Sequence, residues 1–371
     1  MRLHIVGLPW TETTHRFSTC AYTQKIVKAG KMFLDEGHEV YIYSGEQNDA
    51  ACTEHVTLFS LEEREKWFGA HDQNSLWGHI TWDINSVPWR KVTGRAVKAI
   101  KARSEKRDLL LQVAGLVQLP MAEALPHLLA CEPFVGYKGI YTDRCAFESH
   151  AWRHHVYGLN NIQVGRNYDT VIPNYFDPED FGFRGRRGDH LLFVGRMNAD
   201  KGPQIAAEVA KATGRELYLA GPGVSSAEPG RIVGNGVIIE GDVHYLGVLN
   251  PHDRAIAMSE AAALMAPTMY IEPFGGVAVE AMFCGTPAVT SDFGAFTETV
   301  VPGLSGCRFS TLADGVESVN NAVKLDHDVI RNYAEVEYSL DSVGPRFTHW
   351  FQNLDTLWEQ GWYTLPQEVT A

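Results

Sequence analysis

No stretch of this 371-residue chain approaches the ~18 consecutive apolar residues of a membrane span. The opening run MRLHIVGLPW lacks the longer apolar region and small-residue cleavage site of a secretory leader. Cysteine is sparse: six residues are scattered at 20, 52, 131, 145, 284 and 307, with no C-x-x-C pair. That excludes a disulfide scaffold and leads us to expect reduced thiols in a cytoplasmic protein. Basic charge is short as well, 32 Lys and Arg against 45 Asp and Glu, which argues against general nucleic-acid binding. Two phosphate-binding signatures are missing. There is no G-x-x-x-x-G-K-[ST], and no G-x-G-x-x-G follows a strand with an acidic residue about 20 positions on. What remains is ordinary for a globular chain, 45% hydrophobic and 21% charged, with length for two domains.

The net charge of −13 is unevenly held. Residues 1–175 carry 19 basic and 19 acidic side chains and 10 of the 15 histidines; residues 176–371 carry 13 basic and 26 acidic ones. The first half alternates short apolar strands (RLHIVG, EVYIYS, DLLLQV and Phe134–Gly136) with helices, among them about 92–106, near 121–130 and Cys145–Tyr157. Residues 46–90 show no sustained period. Tyr175–His190, rich in Gly, Pro and charge, reads as a linker. The pattern then restarts with strands at Leu191–Val194, Glu216–Ala220, Val237–Glu240, Ala262–Met265 and Pro287–Thr290, and a helix over 203–213. Strands separated by helices imply parallel pairing. We therefore expect two α/β domains, 1–175 and 185–344, with a final helix at about 345–365 returning to the first. Ligands in such sheets sit beyond the carboxyl ends of the strands, which points to loops 8–20, 114–120, 195–202, 221–225 and 266–276.

The densest chemistry lies in Tyr270–Val300, YIEPFGGVAVEAMFCGTPAVTSDFGAFTETV. Glu272 and Glu280 stand eight apart, with Pro273, Phe274, Gly275 and Gly276 after the first. Such a segment leaves a strand, turns on glycines and enters a helix near residue 276. The first amides of that helix would favour hydroxyl or phosphate oxygens. Glu280 would lie roughly 6 Å further along the axis. Two carboxylates so placed can hold hydroxyls at two points of one ligand, although an isolated glutamate is most often merely solvated. In VGRMNADKG (Val194–Gly202), Gly195 and Arg196 end a strand, and Lys201 and Gly202 open a helix. An Arg fork and a Lys point charge beside a helix amino terminus suit a diphosphate. The plain alternative is two surface cations around a turn.

The segment EPFGGVAVEAMFCGTPAVTSDFG, continuing through Glu298 to Gly303–Phe309, resembles the E-x7-E region of family-4 glycosyltransferases. VIPNYFDPEDF (Val171–Phe181) resembles that family's interdomain IPNGVD segment, and VGRMNADKG its Gly-Arg…Lys-Gly diphosphate site. Together these motifs span most of residues 169–309. The resemblance implies an α/β GT-B fold, two Rossmann-like doubly wound parallel-sheet domains facing a cleft. It also implies retaining transfer from a nucleoside-diphosphate sugar, with no cofactor or metal. By this resemblance Glu272, Arg196 and Lys201 form the catalytic set, the two cations neutralising the donor diphosphate. Glu280 holds the ribose, and Glu272 with the backbone of Phe274, Gly275 and Gly276 holds the transferred sugar. Gly195 belongs to the diphosphate turn, and Tyr245 and Leu246, within 242–248, flank the base.

The acceptor side departs from the family pattern. The first loop, LPWTETTHRFSTC, has no glycine where many members carry a pair, and DLLLQVAGLVQ lacks their histidine, leaving Gln112 or Gln118 in that region. Thr14, His15 and His150 are the acceptor-side candidates. His150 and His154 share a helical face but lack the Glu of H-E-x-x-H, so a polar face on the cleft is favoured over a metal site. Asp326-His327-Asp328 spells Asp-x-Asp between late helical segments, where a structural role is favoured. The basic run Arg90–Arg107 sets eight cations against Glu105. It is either a solvated helix face or a patch for an anionic acceptor such as nucleic acid or lipid. Three alternatives stand beside the transferase reading: a GT-B-like sugar-nucleotide epimerase or hydrolase, a non-catalytic carbohydrate-binding module, and a transferase for a polyanionic acceptor.

Overall fold

Strands buried on both faces need no polar alternation, so short apolar runs can build parallel sheets. A computed structural model describes residues 1–70, 80–182 and 188–357 of the chain. Its first sheet holds β1 (Arg2–Val6), β2 (Glu39–Gly45), β3 (Glu54–Phe59), β4 (Leu109–Leu111), β5 (Leu129–Val135), β6 (Cys145–Phe147) and β7 (Thr170–Val171). The spatial order is β3-β2-β1-β4-β5-β6-β7, and every pair is parallel.

The later chain adds β8 (Leu191–Val194), β9 (Leu217–Ala220), an antiparallel insertion of β10 (Ser226–Glu228), β11 (Arg231–Gly234) and β12 (Val237–Glu240), then β13 (Val243–Tyr245), β14 (Ala263–Ala266), β15 (Ala288–Ser291) and β16 (Gly306–Phe309). The second parallel sheet runs β13-β9-β8-β14-β15-β16. In each sheet the winding reverses beside the first strand, opening a crevice at the strand carboxyl ends.

Three elements differ from the sequence expectation. Cys145–Phe147 is a strand rather than the start of a helix, because this fully buried CAF run pairs with β5 and β7; the helix starts at His150, after Ser149 caps it. β3 and the helix Leu61–Phe68 occupy the unreadable stretch 46–90, of which 71–79 lie outside the described residues. β3 is an edge strand with half-exposed polar positions, so it carries no apolar run. Asp326 accepts bonds from the amides of Asp328 and Val329, so the Asp-x-Asp spelling is a helix cap, the structural role expected of it.

The chain crosses between the sheets twice, and the crossings pair. Tyr175 is buried in the first core and Phe176 in a cluster with Phe274 and Phe283, so the expected linker begins as a buried crossing. The Phe176 amide donates to the Tyr338 carbonyl (2.9 Å) and the Leu340 amide to the Phe176 carbonyl (3.0 Å). Helix Leu340–Leu357 then packs Val343, Phe347, Phe351 and Leu354 against Phe33 and Phe134 of the first core. No helix among the described residues is long and apolar enough to cross a membrane.

Candidate functional site

Between the two sheets lies a cleft of about 820 Å³. The second-domain wall is the segment after β14, which turns into helix Gly276–Phe283 at Gly275. Gly275 has φ +79°, and a Cβ there would stand 2.3 Å from the Phe296 ring, so the turn demands glycine. No side chain caps this helix, and its first amides offer a partial positive charge at the cleft.

Beside it, Lys201 ends the short turn Ala199–Lys201. Its Nζ donates to Glu272 Oε2 (2.8 Å) and to the Tyr270 hydroxyl (2.7 Å), lying over the Tyr270 ring. Burial, with Glu272 adjacent, pushes the Tyr270 phenol well up, so it keeps its proton. Gly202 (φ +71°) follows, and a Cβ there would stand 2.1 Å from the Pro267 carbonyl oxygen. Arg196 is exposed on the cleft with no side-chain partner among the described residues. Glu280 is held by Arg254, Nε to Oε2 at 2.9 Å and Nη2 to Oε1 at 3.3 Å. The structure thus gathers Arg196, Lys201, Glu272, Glu280, Phe274, Gly275 and Gly276 at one wall or immediately behind it.

Other expected residues lie elsewhere. Gly195 is tied to β9 through its amide and the Ala220 carbonyl. Tyr245 donates its hydroxyl to the Gly221 carbonyl (2.8 Å), and neither it nor Leu246 lines the cleft. Loops 114–120 and 221–225 do not reach the lining either. The first of these is turned inward because Gln118 Oε1 accepts from the amides of Val113 and Ala114.

On the first-domain wall, His15 lines the cleft with Ser18 and Thr19, whereas Thr14 is buried behind them. His150 is exposed and outside the lining; its helix turns Trp152 and His155 to the cleft instead. The wall also contains residues the sequence reading missed. Lys25 and Glu148 form a buried ion pair, and Asn174 donates to the second Glu148 oxygen (3.0 Å). Lys28 donates to the Tyr175 carbonyl (2.7 Å) over the Phe176 ring, and burial pushes its ammonium down to about 8. Lys25 and Lys28, three apart on the amphipathic helix Ala21–Asp35, were the available signal for this wall.

The basic run 90–107 contributes nothing to the lining. Arg95 forks onto Glu63, Arg103 onto Glu54, and Arg107 meets Asp355, so these three cations face the protein's own carboxylates. Arg90, Lys91, Lys98, Lys101 and Lys106 of the same run are exposed.

Residues 188–325 match the family described as "Glycosyl transferases group 1". Over 169 residues the chain is 34% identical to the D-inositol 3-phosphate glycosyltransferase of Acidothermus cellulolyticus, covering 41% of this chain and 38% of that protein. Over 152 residues it is 32% identical to the glycogen synthase of Mycobacterium tuberculosis, covering 37% and 35%. The chain thus matches little more than a third of the length of these relatives. Among solved structures, AviGT4, a glycosyltransferase involved in avilamycin A biosynthesis, superposes with a TM-score of 0.64 at 18% identity, over 96% of this chain and 98% of that one. The apo form of the lipopolysaccharide outer core galactosyltransferase WaaB gives 0.62 at 16%, over 95% and 99%. Anabaena HepE in complex with UDP-glucose gives 0.62 at 13%, over 95% and 100%. The fold is GT-B.

Proposed function

We propose that this protein is a retaining glycosyltransferase that moves a sugar from a nucleoside-diphosphate sugar to an acceptor hydroxyl, without a bound metal. One observation carries the reading. In the second domain, within the segment that matches the glycosyltransferase family, Arg196, an uncapped helix amino terminus and two separately held carboxylates face one cleft, with Lys201 paired to Glu272 immediately behind its wall. The named relatives and the E-x7-E resemblance support the same direction.

Arg196, Lys201 and the amides after Gly275 stabilise the charge that develops on the departing diphosphate. Lys201 and Glu272 lie 2.8 Å apart, so one ligand reaches both, its diphosphate at the ammonium and its sugar hydroxyls at the carboxylate. Glu280, oriented by Arg254, takes the ribose hydroxyls. The acceptor enters along the first-domain wall, beside Glu148 and His15.

Titration with UDP, GDP and ADP, followed by radiolabelled nucleotide sugars with and without a panel of acceptor alcohols, tests the proposal. A nucleoside diphosphate binds, and label transfer depends on an acceptor. Label released or isomerised at the same rate without any acceptor would instead favour an epimerase or hydrolase, and absence of nucleotide binding would end both readings.

A further inference from the structure

The second domain grips the first at a place separate from the paired crossings. Glu298, on the helical turn Phe296–Thr299, sets one carboxylate oxygen 2.8 Å from the His150 amide and the other 2.8 Å from the Ala151 amide. These are opening amides of helix His150–Leu159, which have no acceptor within their own helix. Ser149 Oγ accepts from the Trp152 amide and donates to the Pro273 carbonyl (2.8 Å). On the other side, the Ala295 amide donates to the Glu272 carbonyl (3.2 Å).

The contacts close a ring through Glu298, His150, Ser149, Pro273, Glu272 and Ala295. Its position matters because Ser149 adjoins Glu148, on one wall of the cleft, and Pro273 adjoins Glu272, on the other. A carboxylate at a helix amino terminus is favoured by the helix dipole, and its two charge-assisted bonds are directional. The grip therefore sets an orientation as well as a distance.

We infer that Glu298 is a positioning residue: by clamping the amino terminus of helix His150–Leu159 it holds the Glu272 loop of the second domain in register with the Glu148 wall of the first. Glu298 lies outside the cleft lining and reaches the reaction only through this clamp. Removing its carboxylate leaves Arg196, Lys201, Glu272 and Glu280 on the second domain but loosens that domain against the first wall, where only the Ser149–Pro273 bond of this grip remains. Nucleotide affinity then persists while the alignment needed for transfer is lost. The inference rests on the proposed donor site only for its activity measurement.

Hydrogen exchange of the full chain tests the clamp directly. In the wild type the amides of His150 and Ala151 are protected. In Glu298→Ala both exchange at open-chain rates while the interior of helix His150–Leu159 stays protected. Glu298→Gln, with one acceptor oxygen, keeps one of the two protected and serves if the alanine variant does not fold. With UDP-glucose or GDP-mannose as the donor probe, turnover falls about 10- to 100-fold and nucleoside diphosphate affinity changes by no more than about twofold. Wild-type exchange rates at both amides in the variants overturn the inference. Equal losses of affinity and turnover overturn it too, since they report local disorder of loop 270–276. If the wild type binds neither nucleoside diphosphate, the donor reading falls, and the exchange rates alone decide the clamp.

Discussion

Glu272 and Glu280 share a loop and a helix, yet each meets a different cation, Lys201 for the first and Arg254 for the second. Their losses should separate. Glu280→Ala weakens nucleoside diphosphate binding by about 1.5–3 kcal/mol, the worth of a hydrogen bond to a charged group, and calorimetry reads this directly. Glu272→Ala leaves that affinity nearly unchanged and lowers turnover instead, because in the proposed site it holds the transferred sugar. Unchanged affinity in the Glu280 variant removes the ribose assignment. These glutamates, with Arg196 and Lys201, were legible because each lies in a short strand–turn–helix segment whose spacing brings it to one end of the sheet. Lys25 and Glu148 were not, since 123 positions separate them and only the tertiary fold brings helix Ala21–Asp35 to the residue just after β6. His150 shows the converse: helical spacing marked it, but the face of its helix that meets the cleft carries Trp152 and His155.

The final helix shows what an element gains from distant contacts. His38, just before β2, bonds Thr348 through Nε2 (2.9 Å), and the Thr348 hydroxyl donates to Glu36 (3.0 Å). Burial pushes the His38 imidazole from an ordinary 6.5 down to about 4. Between those values the unfolded chain binds a proton there that the folded chain does not. Stability therefore rises with pH across that window, being fully present above 6.5 and lost as pH falls toward 4. His38→Gln should flatten this dependence, so its thermal midpoint falls less than that of the wild type between pH 7 and pH 4. Parallel midpoint curves would refute the assignment. The sequence pattern located strands with a largely apolar run, β1, β2, β8 and β14 among them. It missed β3 and the insertion strands β10 and β11, whose exposed positions interrupt any apolar run.

Across the whole molecule the proposed chemistry divides between a neutral, histidine-rich first domain and an acidic second one that nevertheless keeps its cations at the cleft. If Arg196, Lys201 and the helix amino terminus supply the positive charge, turnover persists in EDTA. Complete loss on chelation, restored by Mg²⁺ or Mn²⁺, would overturn that account of the leaving group. What the sequence alone determined is local. It determined the alternation of strand and helix, the break between two winding units, and the residue types at the donor wall, because hydrophobic period, turn glycines and motif spacing act over a few residues. Tertiary structure decided the rest. It placed Arg254 on Glu280, aligned Arg95 and Arg103 with Glu63 and Glu54 of the first domain, and set Glu298 on the helix at His150. Those pairings depend on how two independently wound sheets dock, and docking is governed by the shape and charge of surfaces assembled from distant segments.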